Sequence, residues 1–112
     1  MNFEELIPLP QKGEAFKRHR CRFVPETSGC YVLTTFLGEV LYVGLALNLR
    51  RRMDQHLDSP GKKQETPKGA VAFFRWVETT ELNKVERTWM NIHTQHEGTL
   101  PELNKVYSPV DV

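Results

Sequence analysis

Residues 29–57 constrain the fold more than any other stretch, because they combine two strand-like runs and an amphipathic helix with almost no chain between them. Residues 31–36 and 40–43 are rich in β-branched and aromatic side chains, which favour strands. The Leu-Gly pair at 37 and 38 suits a two-residue turn in which the glycine takes a positive φ. The pattern therefore predicts a β-hairpin that continues through Gly44 into a helix.

The register of this hairpin decides where its two tyrosines lie. A two-residue turn pairs Phe36 with Glu39 and Leu33 with Tyr42. Because side chains alternate along a strand, Tyr31, Leu33 and Tyr42 would then lie on one face of the sheet. A three-residue loop would put the two tyrosines on opposite faces, so the shared face depends on the turn.

The helix predicted from residue 46 to residue 57 presents one apolar stripe and one arginine that differs from its neighbours. At 100° per residue the stripe consists of Leu49, Met53 and Leu57. Arg52 and His56 are one helical turn apart and lie on the flank of that stripe. Arg50, Arg51 and Asp54 fall outside it. Arg52 is therefore the arginine that we expect to face a site.

The rest of the chain predicts a loop, a third strand and a second helix. Residues 58–69 are polar and punctuated by Pro and Gly, and loops of this length are typically functional or disordered. Residues 70–77 are apolar on both faces, which indicates a strand inside a small sheet. The helix that follows Thr79-Thr80 has a regular apolar stripe. Glu86 lies beside that stripe, where a carboxylate either pairs with a surface cation or faces a site.

Composition limits the classes of partner. The net charge is +1, whereas nucleic-acid binders are typically strongly basic. Local basic runs could still bind a phosphate backbone if they share a face. Arg51, Lys62 and Lys63 are the expected contacts. No apolar run reaches the roughly 20 residues that span a bilayer, and two cysteines are too few for a disulfide framework. We therefore expect a reduced, cytoplasmic protein with no membrane association.

Four short motifs follow one another along the chain in a fixed order. They are Gly29-Cys30-Tyr31, then Tyr42-Val43-Gly44 with Asn48, Leu49 and Arg52, then Glu86 with Trp89 and Met90, and finally Pro101-Glu102-Leu103-Asn104. In this order they resemble the GIY-YIG nuclease superfamily over residues 28–106. The resemblance implies an α+β fold, with a small three-stranded antiparallel sheet flanked by helices. It leaves residues 1–27 as an irregular N-terminal arm and residues 107–112 as a tail.

The resemblance also implies an activity, namely metal-dependent hydrolysis of a DNA phosphodiester. Tyr31 and Tyr42 would border the attacking water, and one of them would act as the general base or help to orient it. Arg52 would hold the scissile phosphate, and His56 would assist proton transfer. Fixed cations of this kind meet the negative charge that develops on the phosphate.

The same resemblance implies one divalent ion, Mg²⁺ or Mn²⁺, with Glu86 as its sole protein ligand. A hard divalent ion prefers carboxylate oxygen and keeps most of its waters, so one glutamate can suffice. Asn104 would form the far wall of the site. The interval from Glu86 to Pro101 is longer than is usual in the family.

The sequence departs from the family pattern at two further positions, and these keep other functions open. Cys30 replaces the usual Ile or Val, and Leu45 occupies a position where many repair-type members carry a lysine that reaches the phosphate. A nucleic-acid-binding module with weak or no cleavage, or a protein interaction domain, therefore remains an alternative. The resemblance implies DNA as the partner, including branched or structured DNA. Targeting would come from that structure, from homodimerisation or from a partner protein.

Overall fold

The computed structural model describes residues 1–105 and shows a four-stranded antiparallel sheet with a helix on each face. Among these residues, no helix combines the length and the apolar character needed to cross a bilayer. The sheet order is β1-β4-β2-β3. The strands are β1 (Lys12–Ala15), β2 (Gly29–Thr34), β3 (Val40–Ala46) and β4 (Phe73–Glu78); the α-helices are α1 (Leu49–Leu57), α2 (Pro60–Lys63) and α3 (Leu82–Glu97). Short 3-10 helices cover Phe3–Glu5, Arg18–Phe23 and Glu102–Lys105.

The α+β fold with an antiparallel sheet is confirmed, but the expected number of three strands is wrong. The additional strand, β1, lies within the segment that was expected to be irregular, and it pairs with residues 73–76 of β4. Its sequence, Lys-Gly-Glu-Ala, has no strand signature because its side chains lie at the sheet edge and bury little surface. Backbone pairing with β4 therefore creates this strand. The division into arm, domain and tail remains a prediction, and the tail at 107–112 lies outside the described residues.

Both helix starts lie later in the chain than predicted. Helix α1 begins at Leu49 rather than at residue 46, because β3 extends to Ala46 and Asn48 is the N-cap. The Asn48 side chain accepts a hydrogen bond from the backbone N–H of Arg51 at 3.0 Å. Helix α3 begins at Leu82, and the Thr79 hydroxyl accepts a hydrogen bond from the N–H of Glu81 just before it.

The turn between β2 and β3 differs from the predicted two-residue turn, and the predicted pairing of Phe36 with Glu39 is wrong. Thr35 pairs with Glu39 instead, which leaves a three-residue loop that ends at Gly38 with φ +94°. The N-terminal segment holds this loop, because the Asn2 side chain donates a hydrogen bond to the Leu37 carbonyl at 3.0 Å.

A β-bulge in β3 nevertheless restores the register on which the tyrosines depend. Thr34 pairs with Val40, whereas Leu33 pairs with Tyr42, so Leu41 is the extra residue. Tyr31 and Tyr42 therefore lie on one face of the sheet, as expected, although the loop has three residues. The bulge was not visible in the sequence.

Each face of the sheet has its own hydrophobic core. Tyr31, Leu33, Phe74 and Trp76 pack with the apolar stripe of α1 on one face. The other face is covered by α3 and by the N-terminal segment, and its core consists of Met1, Leu6, Cys30, Val32, Val40, Val43, Val85 and Trp89. Strand β3 is the sheet edge that runs between these two layers, so a group on α1 and a group on α3 can meet there.

A charged cluster ties the loop after α2 to the end of α3. The Lys68 ammonium lies 2.6 Å from Glu97 and 3.6 Å from Glu39, and the Met1 α-ammonium also contacts both carboxylates. These partners, Lys68 first, lower the pKa of Glu97 from 4.5 to about 2. The stability that Glu97 contributes is thus present above pH 4.5 and is lost as the pH falls towards 2.

We expect Glu97→Gln to lower the free energy of unfolding by about 1 kcal/mol at pH 7, since the cluster is partly exposed and screened by solvent. Near pH 2 the variant and the wild type should be equally stable. Urea unfolding of both proteins at pH 7, 4 and 2.5 measures this difference. A gap that is independent of pH would show that Glu97 does not act through its charge.

Candidate active site

Residues from α1, α3 and the chain's C-terminal 3-10 helix meet at the β3 edge around a cavity of about 300 Å³. The cavity is lined by Tyr42, Val43, Gly44, Leu45, Arg52, Glu86 and Asn104. Four of the six predicted site residues thus lie around one space. The other two, Tyr31 and His56, lie beneath Tyr42 in the core between the sheet and α1.

Three rings contact one another at and below the cavity, with the two tyrosines stacked and His56 edge-on to Tyr42. The Tyr31 hydroxyl shares a hydrogen bond with Nε2 of His56 at 2.5 Å, and both side chains are buried. The Tyr42 ring centroid lies 6.0 Å from that of Tyr31 and 5.2 Å from that of His56. Because Tyr42 also lines the cavity, it is the ring that can meet a substrate, and the Tyr31–His56 pair can hold it in place.

Gly44 is required at its position because Tyr31 packs directly over it. A Cβ atom there would lie 2.6 Å from Cζ and from the hydroxyl oxygen of Tyr31, and 2.9 Å from Tyr42. Tyr31 is fully buried and has little room to shift. The glycine of the second motif therefore serves close packing of the two tyrosines.

We expect Gly44→Ala to displace Tyr31 and to lower stability by about 1–3 kcal/mol, as overpacking of a core does. Any cleavage activity should fall at least tenfold, because the Tyr31–His56 hydrogen bond would be broken. The melting temperature and the cleavage rate measure the two effects. Gly61→Ala is the matched control, since the nearest atom to its added Cβ lies 3.9 Å away. Equal results for the two variants would refute this account of Gly44.

The three consecutive arginines of α1 have three different environments. Arg50 is bound to the protein itself, with hydrogen bonds to the Glu26 carboxylate at 2.6 Å and to the Val24 carbonyl at 2.8 Å. Arg51 is exposed, whereas Arg52 is half-buried and lines the cavity. Of the three arginines, the structure therefore places only Arg52 at the cavity that Tyr42, Glu86 and Asn104 also line.

Asn104 closes one end of the cavity by bonding to the edge strand. Its side-chain oxygen accepts a hydrogen bond from the Val43 N–H at 2.8 Å, and its amide nitrogen donates to the Val43 carbonyl at 3.0 Å. Both polar groups of Val43 on the open edge of β3 are thereby satisfied. Asn104 thus lines the cavity, and both polar atoms of its side-chain amide bond to the backbone of Val43.

Glu86 offers the chemistry that a hard divalent ion needs. Its carboxylate is half-buried, and burial raises its pKa, an effect that nearby Arg87 opposes. Within residues 1–105, no cation lies within ion-pair distance of it. A partly buried carboxylate that no described cation pairs with is suited to bind a metal ion.

Cys30 lies near Glu86 but does not extend a metal site. Burial, and next the charge of Glu86, raise the pKa of its thiol to about 12, so it stays protonated at neutral pH. Its Sγ donates a hydrogen bond to the Leu82 carbonyl at 3.3 Å. The described part of the chain contains no group of three or more His, Cys, Asp or Glu side chains that could hold a metal. The donor set therefore fits one carboxylate ligand with water completing the shell.

Lys62 is buried, although the sequence predicts it to be a surface residue. It was expected as a surface contact together with Lys63, but its side chain is only 5% exposed and its ammonium lies 4.7 Å from the centroid of the Tyr42 ring. Lys63 is exposed. The burial follows from α2, a short helix inside the segment expected to be a loop, which carries Lys62 onto the tyrosine. No pattern in that polar segment distinguishes the two lysines.

The sequence of the chain is similar to a known protein family. A family model described as the GIY-YIG catalytic domain matches residues 27–98, which is more than half of the chain. The matched segment contains five of the six predicted site residues and ends before Asn104. No curated protein matches the sequence.

Proposed function

This chain belongs to the GIY-YIG family, a family of nucleases, and we propose that it is a metal-dependent DNA endonuclease. The observation that carries the proposal is that Tyr42, Arg52 and Glu86 line one cavity, with the Tyr31–His56 hydrogen bond directly beneath. A general base, a fixed cation and a carboxylate for a divalent ion are the groups that phosphodiester hydrolysis requires. In the reaction, water adds to phosphorus and one ester P–O bond breaks, which leaves a phosphate monoester and a hydroxyl group.

The Arg52 guanidinium is the group proposed to hold the scissile phosphate. A guanidinium is always charged at neutral pH and can present two parallel N–H donors to two phosphate oxygens. Because Arg52 is half-buried, its charge is less screened by water than that of the exposed Arg51. It therefore orients the phosphate and stabilises the added negative charge in the transition state.

Tyr42 is the tyrosine proposed to accept the proton of the attacking water. A tyrosine in water has a pKa of about 10 and is a weak base at neutral pH. The Lys62 ammonium above its ring favours the phenolate form, and Tyr31 with His56 fixes the ring against the sheet. The buried His56 can also relay a proton through its hydrogen bond to Tyr31.

Glu86 is the residue proposed to bind Mg²⁺ or Mn²⁺. When bound, the ion would neutralise part of the charge on the phosphate. Glu86 itself lies on α3, opposite Arg52 on α1, so the carboxylate and the guanidinium reach the cavity from different helices.

Lys62 provides a prediction that separates this arrangement from simple charge attraction. Lys62→Met should lower kcat about tenfold with little change in KM, because it removes the cation beside the base. Lys63→Met, an equal change of charge at the exposed neighbour, should affect KM only and should lose its effect at high salt. Steady-state cleavage rates give both constants. Indistinguishable variants would assign Lys62 to general DNA attraction.

A nicking assay tests the proposed function itself. Supercoiled plasmid and branched oligonucleotides are incubated at low salt with Mg²⁺, Mn²⁺ or EDTA. We expect cleavage with either metal and none in EDTA. Folded protein that leaves every substrate intact would overturn the proposal.

A DNA-binding module with no cleavage is the second candidate, and Leu45 favours it. This side chain lines the cavity next to Arg52 and Glu86 and supplies no charge for the phosphate. Tight binding of branched DNA without cleavage would support that alternative. We also propose that the protein reaches its substrate by one of three routes. These are recognition of branched DNA, homodimerisation or a partner protein.

A further inference from the structure

A second cavity of about 360 Å³ adjoins the candidate active site and shares Leu45 and Arg52 with it. We call it the leucine groove; its walls include Leu45, Leu47, Leu82, Arg51, Gln55 and Asn83. Leu47 is 75% exposed at this position. The groove therefore has an apolar wall of leucines and a wall of polar and charged side chains, and it lies directly beside the cavity that holds Arg52.

The chemistry of the groove fits a nucleobase better than it fits a phosphate. Three leucine side chains give no attraction to an anion, but they can cover the flat, weakly polar face of a base. The side-chain amides of Gln55 and Asn83 each offer a donor and an acceptor for the polar edge of a base. Arg51 can stack on the base or contact its phosphate.

We propose that the leucine groove binds an unpaired nucleobase of the cleaved strand, next to the scissile phosphate. Inside a duplex, a base has both faces stacked and its pairing edge occupied, so only an unpaired or extruded base can enter. The inference rests on the proposed function and specifies its substrate class, namely DNA with unpaired nucleotides beside the cut.

Charge argues against an apolar protein segment as the occupant. Arg51 and Arg52 both line the groove, which favours a ligand that is anionic beside an apolar portion. A nucleotide has this combination. The continuity of the groove with the cavity at Arg52 places base and phosphate at neighbouring positions.

Two measurements test the inference, and the first does not depend on cleavage. An oligonucleotide with 2-aminopurine as an unpaired base at a junction is titrated with wild type, Leu47→Ser and the control Leu37→Ser, an equally conservative change at another exposed leucine. We expect the 2-aminopurine fluorescence to change on binding. The affinity obtained from this change should fall about tenfold for Leu47→Ser and stay at the wild-type value for Leu37→Ser. No fluorescence change, or equal effects of the two variants, would overturn the inference.

The second measurement compares cleavage of that junction with cleavage of a fully paired duplex of the same sequence. The wild type should prefer the junction by about tenfold, and Leu47→Ser should lose most of that preference. Cleavage of both substrates at equal rates would overturn the inference while leaving the nuclease intact. A specific 2-aminopurine signal without any cleavage would support the groove and refute the endonuclease.

Discussion

Glu86→Gln is expected to reduce cleavage below about a thousandth of the wild-type rate, since a bound divalent ion supplies several kcal/mol of transition-state stabilisation. Gln keeps the size and shape of the side chain but is a much weaker metal ligand. In residues 1–105 no ion pair is lost by the change, and Glu86 is half-buried at the margin of the α3 packing face. The melting temperature should therefore stay within a few degrees of the wild type.

Glu81→Gln is the matched control, because it removes the same charge just before α3 begins, at a position that pairs only with Lys84 at 3.5 Å among the described residues. It should cleave at the wild-type rate. Metal binding gives an independent readout: Mn²⁺ titrated into the protein should bind wild type and Glu81→Gln but not Glu86→Gln. An unfolded Glu86→Gln would assign the carboxylate a structural role. A folded variant that still cleaves at the wild-type rate would exclude Glu86 as the metal ligand.

The hairpin shows how far the sequence can predict this site. The shared face of Tyr31 and Tyr42 was predicted correctly through a two-residue turn that does not exist. The three-residue loop and the bulge at Leu41 shift the register in opposite directions, so their effects cancel. Alternation of side chains is visible in a sequence, whereas a bulge depends on pairing with a neighbouring strand and on the contact of Asn2 with the loop.

Features that arise from long-range packing could not be predicted. Strand β1 forms because β4 offers an unpaired edge, and Lys62 is buried because α2 folds over Tyr42. By contrast, helical geometry alone places Arg52 one turn before His56, on the side of the apolar stripe opposite to Arg50, which is a local property. Local periodicity therefore predicts the positions of residues on regular helices and strands. The positions of the other residues depend on tertiary contacts, which the sequence does not show.

Arg52→Ala is expected to lower kcat by roughly a hundredfold to a thousandfold, the effect seen when one preorganised donor to a developing anion is removed. Arg51→Ala should instead weaken DNA binding and reduce the slope of log affinity against log salt by about one, as the loss of one phosphate contact does. The two residues are adjacent, carry the same charge and belong to the same helix, so each is the control for the other. Only their environments differ: Arg52 is half-buried at the cavity with Glu86, and Arg51 is exposed beside Leu47.

Single-turnover cleavage and salt-dependent binding, measured on both variants, separate the two effects. Arg50→Ala adds a third comparison, because the Arg50 guanidinium bonds to Glu26 and Val24. Loss of these bonds should lower the free energy of unfolding and leave the cleavage rate unchanged. If Arg51→Ala and Arg52→Ala lowered kcat equally, the cavity would not be where the phosphate is held. If Arg52→Ala changed only the salt dependence of binding, Arg52 would contribute to nucleic-acid binding without taking part in the hydrolysis. A loss of kcat confined to Arg52→Ala would show that its position at the cavity, beside Tyr42 and Glu86, makes one of three identical side chains the phosphate-binding group.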